Sequence, residues 1–257
     1  MLRAAVVLAV AMLLTILVLP LVALFVHVPP AALVQRLATP IVAQALVLSV
    51  VTSAFSTLAV IVLGLPVAYL LATRRRTATR WLTILIDLPM VLPPTVAGLG
   101  LLLAFGRAGL LGKPLAAFGI TLPFTTLAVI LAQVFVAGPF FINAARAGFE
   151  AIDPRYEHAA ATLRASPLYT FFRVLLPLNA PALLAGAAMT WARALGEFGA
   201  TITFAGNMPG RTQTLPLAVY VALQSDLEAA VTMSVLLVVV SCALLIGLRA
   251  LPPQPYL

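Results

Sequence analysis

Apolar runs dominate the chain, and polar residues arrive in clusters between them. Uncharged stretches cover 37–73, 88–106, 114–145 and 229–248. Each is near or above the roughly 20 residues that a helix needs to cross a hydrocarbon core of about 30 Å. With the apolar run that follows Arg3, the pattern predicts six spanning helices, at about 4–26, 42–72, 82–105, 121–146, 179–206 and 228–250. The expected fold class is an all-α membrane protein, with residues 1–257 forming a single transmembrane domain. The first run is about 23 residues, too long for the apolar part of a signal peptide, and no small-x-small site closes it, so it is expected to stay as an anchor.

Helix breakers refine this outline. Thr39-Pro40 reads as a cap followed by proline at the first helical position. The helix that starts there is long enough to protrude beyond the membrane, and Gly64 and Pro66 are expected to bend it. In span three, Pro93 and Pro94 interrupt the backbone ladder in mid-membrane, just before Thr95. Such a break survives where protein or a water-filled cavity satisfies the freed carbonyls, so this helix either lines a path or packs its kink against a neighbour. Asp87 is expected near the cytoplasmic entry of that span, snorkelling or serving a helix N-terminus. In span five, Arg193 and Glu197 stand four residues apart. Charges at that depth are costly, and the pair either controls a path or gate or locks span five to a neighbour.

The segment 153–177 differs from everything around it. Asp153-Pro154 and Ser166-Pro167 are two helix-start signals, and Leu176-Pro177 closes the segment. They predict two short helices, about 154–165 and 167–175, joined by a sharp turn. On the first, Tyr156, Ala159, Ala160 and Leu163 follow the i, i+3, i+4, i+7 spacing of one face, while Arg155, Glu157, His158 and Arg164 take the remaining surface. Alanines in the centre of an apolar stripe allow close approach, and flanking charges fix register. That suits a helix laid into a partner's groove, or one lying on the membrane surface.

Composition and charge exclude other classes. With 63% hydrophobic residues, 9% charged residues and a mean hydropathy of +1.15, the chain cannot be a water-soluble domain. The net charge of +8 invites a nucleic-acid reading, but the positions of the charges argue for topology. Ten basic residues (Arg3, Arg74, Arg75, Arg76, Arg80, Arg146, Arg155, Arg164, Arg173 and Arg249) fall on one predicted side, against Arg36, Arg107, Lys113 and Arg211 on the other. The positive-inside rule then places both termini and 153–177 in the cytoplasm, with the arginines at lipid headgroups and no nucleic acid as partner. Cys242 is the single cysteine, and His27 and His158 are far apart, so no metal site is expected. Gly112-Lys113 is followed by Pro114, with Arg107 where a phosphate-binding loop needs its first glycine, so no nucleotide site is expected either. No zinc-protease or serine-hydrolase motif supports an intramembrane enzyme, and no catalytic residue is assigned. A secondary transporter could use Arg193, Glu197 and Asp87 for ion coupling, but it would leave 153–177 unexplained, and no internal repeat of the spans is seen.

The 153–177 segment resembles the cytoplasmic signature of ABC importer permeases, E-A-A, three residues, G, nine residues, I-x-L-P. Here the register is His158-Ala159-Ala160, then Arg164, then Val174-Leu175-Leu176-Pro177, with Glu157 one residue ahead of the motif's glutamate. Arg164 stands where the motif has glycine and must either stay helical or accept a strained backbone. Asp87–Thr95, Phe105–Gly112, Leu195–Asn207 and Thr212–Pro216 are similar to stretches of molybdate/tungstate permeases, with sulfate permeases as close relatives. The resemblance implies the type I ABC importer permease (MetI-like) fold in a prokaryotic inner membrane. It implies a homodimer with the pore between its copies, two ATP-binding cassette subunits that hold ATP and Mg, and an extracytoplasmic oxyanion-binding protein. Residues 153–177, with Ser166 and Pro167 at the turn, then become the coupling-helix loop that engages the ATPase. A tetrahedral dianion passes best over weak donors, and Pro93, Pro94, Thr95, Thr190, Arg193, Glu197, Thr201 and Thr203 are the candidate pathway and gate residues. A sulfate/thiosulfate permease is the alternative.

Overall fold

A computed structural model of the chain describes residues 2–28, 31, 35, 39–74 and 77–249. Arg36, Arg75, Arg76 and Ala250, used above for the charge count and the span limits, lie outside the described residues. Among the described residues every regular element is helical. Four helices are long and apolar enough to cross a membrane: α1 (Leu2–Val26), α2 (Pro40–Thr73), α6 (Thr126–Glu150) and α12 (Leu227–Arg249). Predicted span three is instead two helices, α3 (Thr77–Val91) and α4 (Pro94–Phe105), bent by 117° at Leu92-Pro93. Pro89, Pro93 and Pro94 each remove a backbone donor, and each proline disfavours a helical residue before it. Between α4 and α6 lies the short α5 (Gly112–Ala117).

After α6 come α7 (Arg155–Thr162) and α8 (Pro167–Leu178), then α9 (Ala180–Leu195), which leaves α8 at 70°. Predicted span five is also broken. Helix α9 ends at Leu195, and α10 (Gly199–Ala205) begins after a gap at 196–198. Helix α11 (Leu215–Ala222) precedes α12. Counting each bent pair as one span gives up to six. The expected bend in α2 is not a break: the helix runs unbroken through Gly64 and Pro66. Gly64 serves packing, because a Cβ there would lie 2.9 Å from the Ile142 side chain.

Side-chain register fixes the helix directions. Thr52 and Ser56 meet Gln133, Gly64 meets Ile142, and Tyr69 meets Phe149, so α2 and α6 run parallel. The chain must therefore return along the bundle between them. Helix α3 does so beside α6, with Thr83 against Arg146 and Asp87 against Asn143. Helix α9 is antiparallel to α6, with Asn179 against Ala145, Gly186 against Ala144 and Thr190 against Ala137. Small residues carry these contacts. Lipid gives no hydrophobic drive for helix association, so close backbone approach and interhelical hydrogen bonds take its place.

Among the described residues the buried core has three parts. Ala97, Leu101, Ala128, Val129, Ala132, Ala200 and Phe204 join α4, α6 and α10. Val42, Ala45, Leu215, Ala218, Ala230 and Met233 join α2, α11 and α12. Val60, Ala68, Phe141 and Ala145 join α2 and α6. Helix α1 stands outside all three, apolar and exposed along its length, with α12 beside it.

Candidate functional site

Helices α7 and α8 form the polar-studded hairpin that the sequence predicts, with shifted limits. Asp153 starts α7: its Oδ1 accepts from the Arg155 N–H at 2.9 Å, and its Oδ2 accepts from Arg155 Nε at 2.8 Å. That side-chain hydrogen bond holds the Asp153 carboxyl below the ordinary carboxylate range. Ser166 caps α8, accepting from the Tyr169 N–H at 3.2 Å, and Pro167 takes the first helical position. Helix α7 stops at Thr162 rather than 165, because Arg164 takes a left-handed conformation, φ +56°. Ala165 N–H donates to Ala160 C=O and Arg164 N–H to Ala161 C=O, both at 3.0 Å. These are the paired bonds of a Schellman stop, with arginine where glycine is usual.

Leu176-Pro177 does not close the second helix, which continues to Leu178. It passes Pro177 by widening into a π-helical turn at Phe171–Leu175. The proline ring would clash with the carbonyl four residues back in a regular α-helix, and widening relieves that clash. The Phe171 ring in this turn packs edge-on against Tyr69 of α2 at 4.9 Å and lies 6.0 Å from Phe149 of α6.

A cleft of about 680 Å³ opens between α7 and α8, lined by Tyr156, Ala159, Ala160, Leu163, Tyr169 and Val174 among others. Ala159 is exposed, whereas Ala160 turns inward against the hairpin's own stop. Leu163 is 83% exposed and Leu168 70%, on an element that carries Glu157, His158 and Arg164, also exposed, beside them. Apolar exposure beside charges marks an interaction surface, for a partner protein or for the membrane interface.

The second candidate region is where the two broken spans meet. Helices α4 and α10 pack so closely that a Cβ on Gly98 would lie 2.7 Å from the Ala200 carbonyl oxygen. A Cβ on Gly199 would lie 2.6 Å from Pro94. Pro93, Pro94 and Thr95 are exposed at the break, and half-buried Thr203 faces Gly98. Thr203 Oγ1 bonds its own backbone at Gly199, and Thr201 is buried with no hydrogen-bond partner for its hydroxyl. Thr190 lies apart from this junction, buried against α6, donating to the Ala137 carbonyl at 3.4 Å. Arg193 Nη1 pairs with Glu197 Oε2 at 2.7 Å, and Glu197 Oε1 accepts from the Ala200 N–H at 2.9 Å. The pair thus ties α9 to α10 across the gap and caps α10, rather than locking the span to a neighbour. Asp87 serves no helix N-terminus: it sits late in α3 and accepts from Asn143 Nδ2 at 2.7 Å. Among the described residues no three His, Cys, Asp or Glu side chains converge as a metal site requires.

Sequence reasoning missed a buried polar ladder. Ser56 donates to Gln133 Oε1 at 2.8 Å, and Gln133 Nε2 donates to Thr52 at 3.2 Å. Trp191 Nε1 donates to Ser53 at 2.9 Å, and Leu215 N–H to Ser49 at 2.6 Å. The ladder stitches α2 to α6, α9 and α11. Its signal was present in the sequence: Ser49, Thr52, Ser53, Ser56 and Thr57 follow the 3, 4, 7, 8 spacing of one helix face.

Residues 61–252 match the family described as binding-protein-dependent transport system inner membrane component. The chain is 45% identical over 234 residues to the molybdenum transport system permease protein ModB of Mycobacterium tuberculosis, covering 91% of this chain and 89% of that one. It is 39% identical to the ModB protein of Escherichia coli K12, covering 71% and 80%. It is also 39% identical to the sulfate transport system permease protein CysT of Salmonella typhimurium, covering 74% and 69%. A crystal structure of a bacterial ABC transporter that imports alginate superposes with a TM-score of 0.77 at 14% identity, covering 96% and 93%. The MetNI methionine ABC transporter superposes with a TM-score of 0.64 at 18% identity, covering 83% and 97%.

Proposed function

Because the chain belongs to the family of binding-protein-dependent transport inner membrane components, we propose that it is the permease subunit of an ATP-driven importer for molybdate or tungstate. The α7–α8 hairpin carries this reading: an exposed apolar and charged knob that needs a partner to cover it. In the proposal, Arg155, Tyr156, Glu157, His158, Ala159, Ala160, Leu163, Arg164, Ser166 and Pro167 form the docking surface for a separate ATPase, which holds ATP and Mg. Two copies of the chain enclose the pathway, and an extracytoplasmic binding protein delivers the anion. ATP binding would draw both hairpins inward and rotate the bundles between two states as rigid bodies.

Helix length and composition allow up to six crossings, the number adopted in the proposal, and the hairpin and the loop 206–214 lie at opposite ends of α6. With the basic residues concentrated on the hairpin side, that end and both termini are cytoplasmic. The junction of α4 and α10 is the proposed gate. Pro93, Pro94, Thr95 and Thr203 meet there, while buried Thr201 and Thr190 act only behind it. Arg193 and Glu197 neutralise each other, which leaves helix dipoles and hydroxyls to handle a dianion.

Two experiments test this. Ala159→Glu places a charge on the exposed face of α7, and it should abolish copurification with the ATPase; undiminished copurification would count against the docking surface. Reconstituted complexes should take up molybdate and tungstate in preference to sulfate. The likeness to CysT makes sulfate the rival cargo, and sulfate preference would reverse the assignment.

A further inference from the structure

The joint between the hairpin and the bundle looks weak from sequence alone. Pro177 and Pro181 flank it: Pro177 removes a donor from the end of α8, and Pro181 fixes the first turn of α9, where no donor is needed. Backbone bonds from the Asn179 N–H to the Leu175 carbonyl (2.9 Å) and from the Leu183 N–H to the Asn179 carbonyl (3.0 Å) cross it, but a corner held by these alone would absorb part of a push on the hairpin. The joint is nevertheless bent to a definite 70°, and the residue at its corner is Asn179, buried to 1% exposure.

Asn179 Nδ2 donates to the carbonyl of Ala145 in α6 at 3.0 Å. Its Oδ1 has no conventional partner and occupies the space that a Cβ on Gly148 would fill, so it rests on the α6 backbone at a glycine. The Ala182 side chain, one turn on, crowds the same spot, 2.5 Å from the Gly148 Cβ position. One amide therefore holds the corner against α6 by a hydrogen bond on one side and by Gly148 contact on the other. No cap bond competes for it, since the Asn179 side chain does not cap α9. On the far side of the hairpin, the Tyr69, Phe149 and Phe171 rings give a second hold.

We propose that Asn179 is a positioning residue for energy coupling: it locks the angle between the α7–α8 hairpin and α9, so that hairpin displacement reaches the α4–α10 junction undiminished. This rests on the importer reading. Without the lock, the proline-flanked corner flexes, and ATP is hydrolysed with less cargo moved.

The test uses the complete complex in proteoliposomes, with Asn179→Leu, which keeps most of the volume and removes the donor, and Asn179→Ala. Uptake per ATP hydrolysed should fall about fivefold in both variants, a change within the range seen for residues that carry coupling between sites. Copurification with the ATPase should persist. A spin-label pair at Ala161→Cys and Thr73→Cys, in a Cys242→Ser background, should show a broader distance distribution in the variants than in the parent. An unchanged uptake-to-hydrolysis ratio, or an unchanged distribution, overturns the proposal. So does loss of both variants from the membrane, which would make Asn179 a folding residue only. If the parent complex itself shows no ATP-dependent uptake, the importer reading fails first, and the proposal with it.

Discussion

Arg164 shows what a single backbone conformation costs. A left-handed non-glycine residue is disfavoured by about 1–2 kcal/mol, and Arg164 holds φ +56° because the paired bonds of the helix stop require it. Arg164→Gly should therefore stabilise the hairpin by about 1 kcal/mol, read as slower hydrogen exchange at the Ala165 amide. Faster exchange would mean that the arginine side chain outweighs the strain. Gly98 marks the opposite situation, in which any side chain is excluded. Gly98→Val would drive a Cβ into the Ala200 backbone, and transport should be lost while the protein still reaches the membrane. Glu197 serves Arg193 and the start of α10 at once. Removing one partner of a fully buried pair costs roughly 3–5 kcal/mol. Arg193 is 30% exposed, so Glu197→Ala should cost nearer 2 kcal/mol, measured as a lowered unfolding midpoint in detergent. Glu197→Gln, which keeps an acceptor for Ala200, should cost less than Glu197→Ala.

At the scale of elements, the hairpin depends on local caps. Ser166→Ala removes the oxygen that accepts from Tyr169 and should cost about 1 kcal/mol, seen as fraying of the first turn of α8; an unaffected turn would show that Pro167 suffices. Such caps are short-range, which is why both hairpin helices were legible in the sequence. Their ends were less so. The stop at Arg164 needed a left-handed arginine, and Pro177 reads as a helix end where the chain instead widens into a π-helical turn, whose Phe171 ring meets Tyr69 of α2 and Phe149 of α6. The long unbroken spans were equally legible, since apolar length alone defines them. The broken ones were not. Pro93 and Pro94 announced an interruption, but the 117° turn is set by α3 and α4 packing on different parts of α6. Likewise the polar ladder on α2 follows helical spacing, yet small hydroxyls in so apolar a run read as filler until Gln133, Trp191 and Leu215 stand opposite them.

For the whole molecule, the parallel packing of α2 and α6 makes a topological statement. Arg211 sits by the start of α6, through the Thr126 bond to its carbonyl, and the hairpin sits by its end. Cysteines introduced by Arg211→Cys and Ala161→Cys, in a Cys242→Ser background, should react with an impermeant maleimide from opposite sides of sealed vesicles. Labelling of both from one side would refute the crossing order. The same frame shows what the Arg193–Glu197 pair withholds. Arg193 and Glu197 pair with each other, and Glu197 also accepts from the Ala200 N–H, so in the proposal this pair offers a passing dianion no free cation to dwell on. On the proposed reading the permease is a conduit rather than a filter, and the choice of cargo passes to the receptor that loads it. Fitting the complex with another oxyanion's receptor should then change what the cell takes up without a single change in this chain.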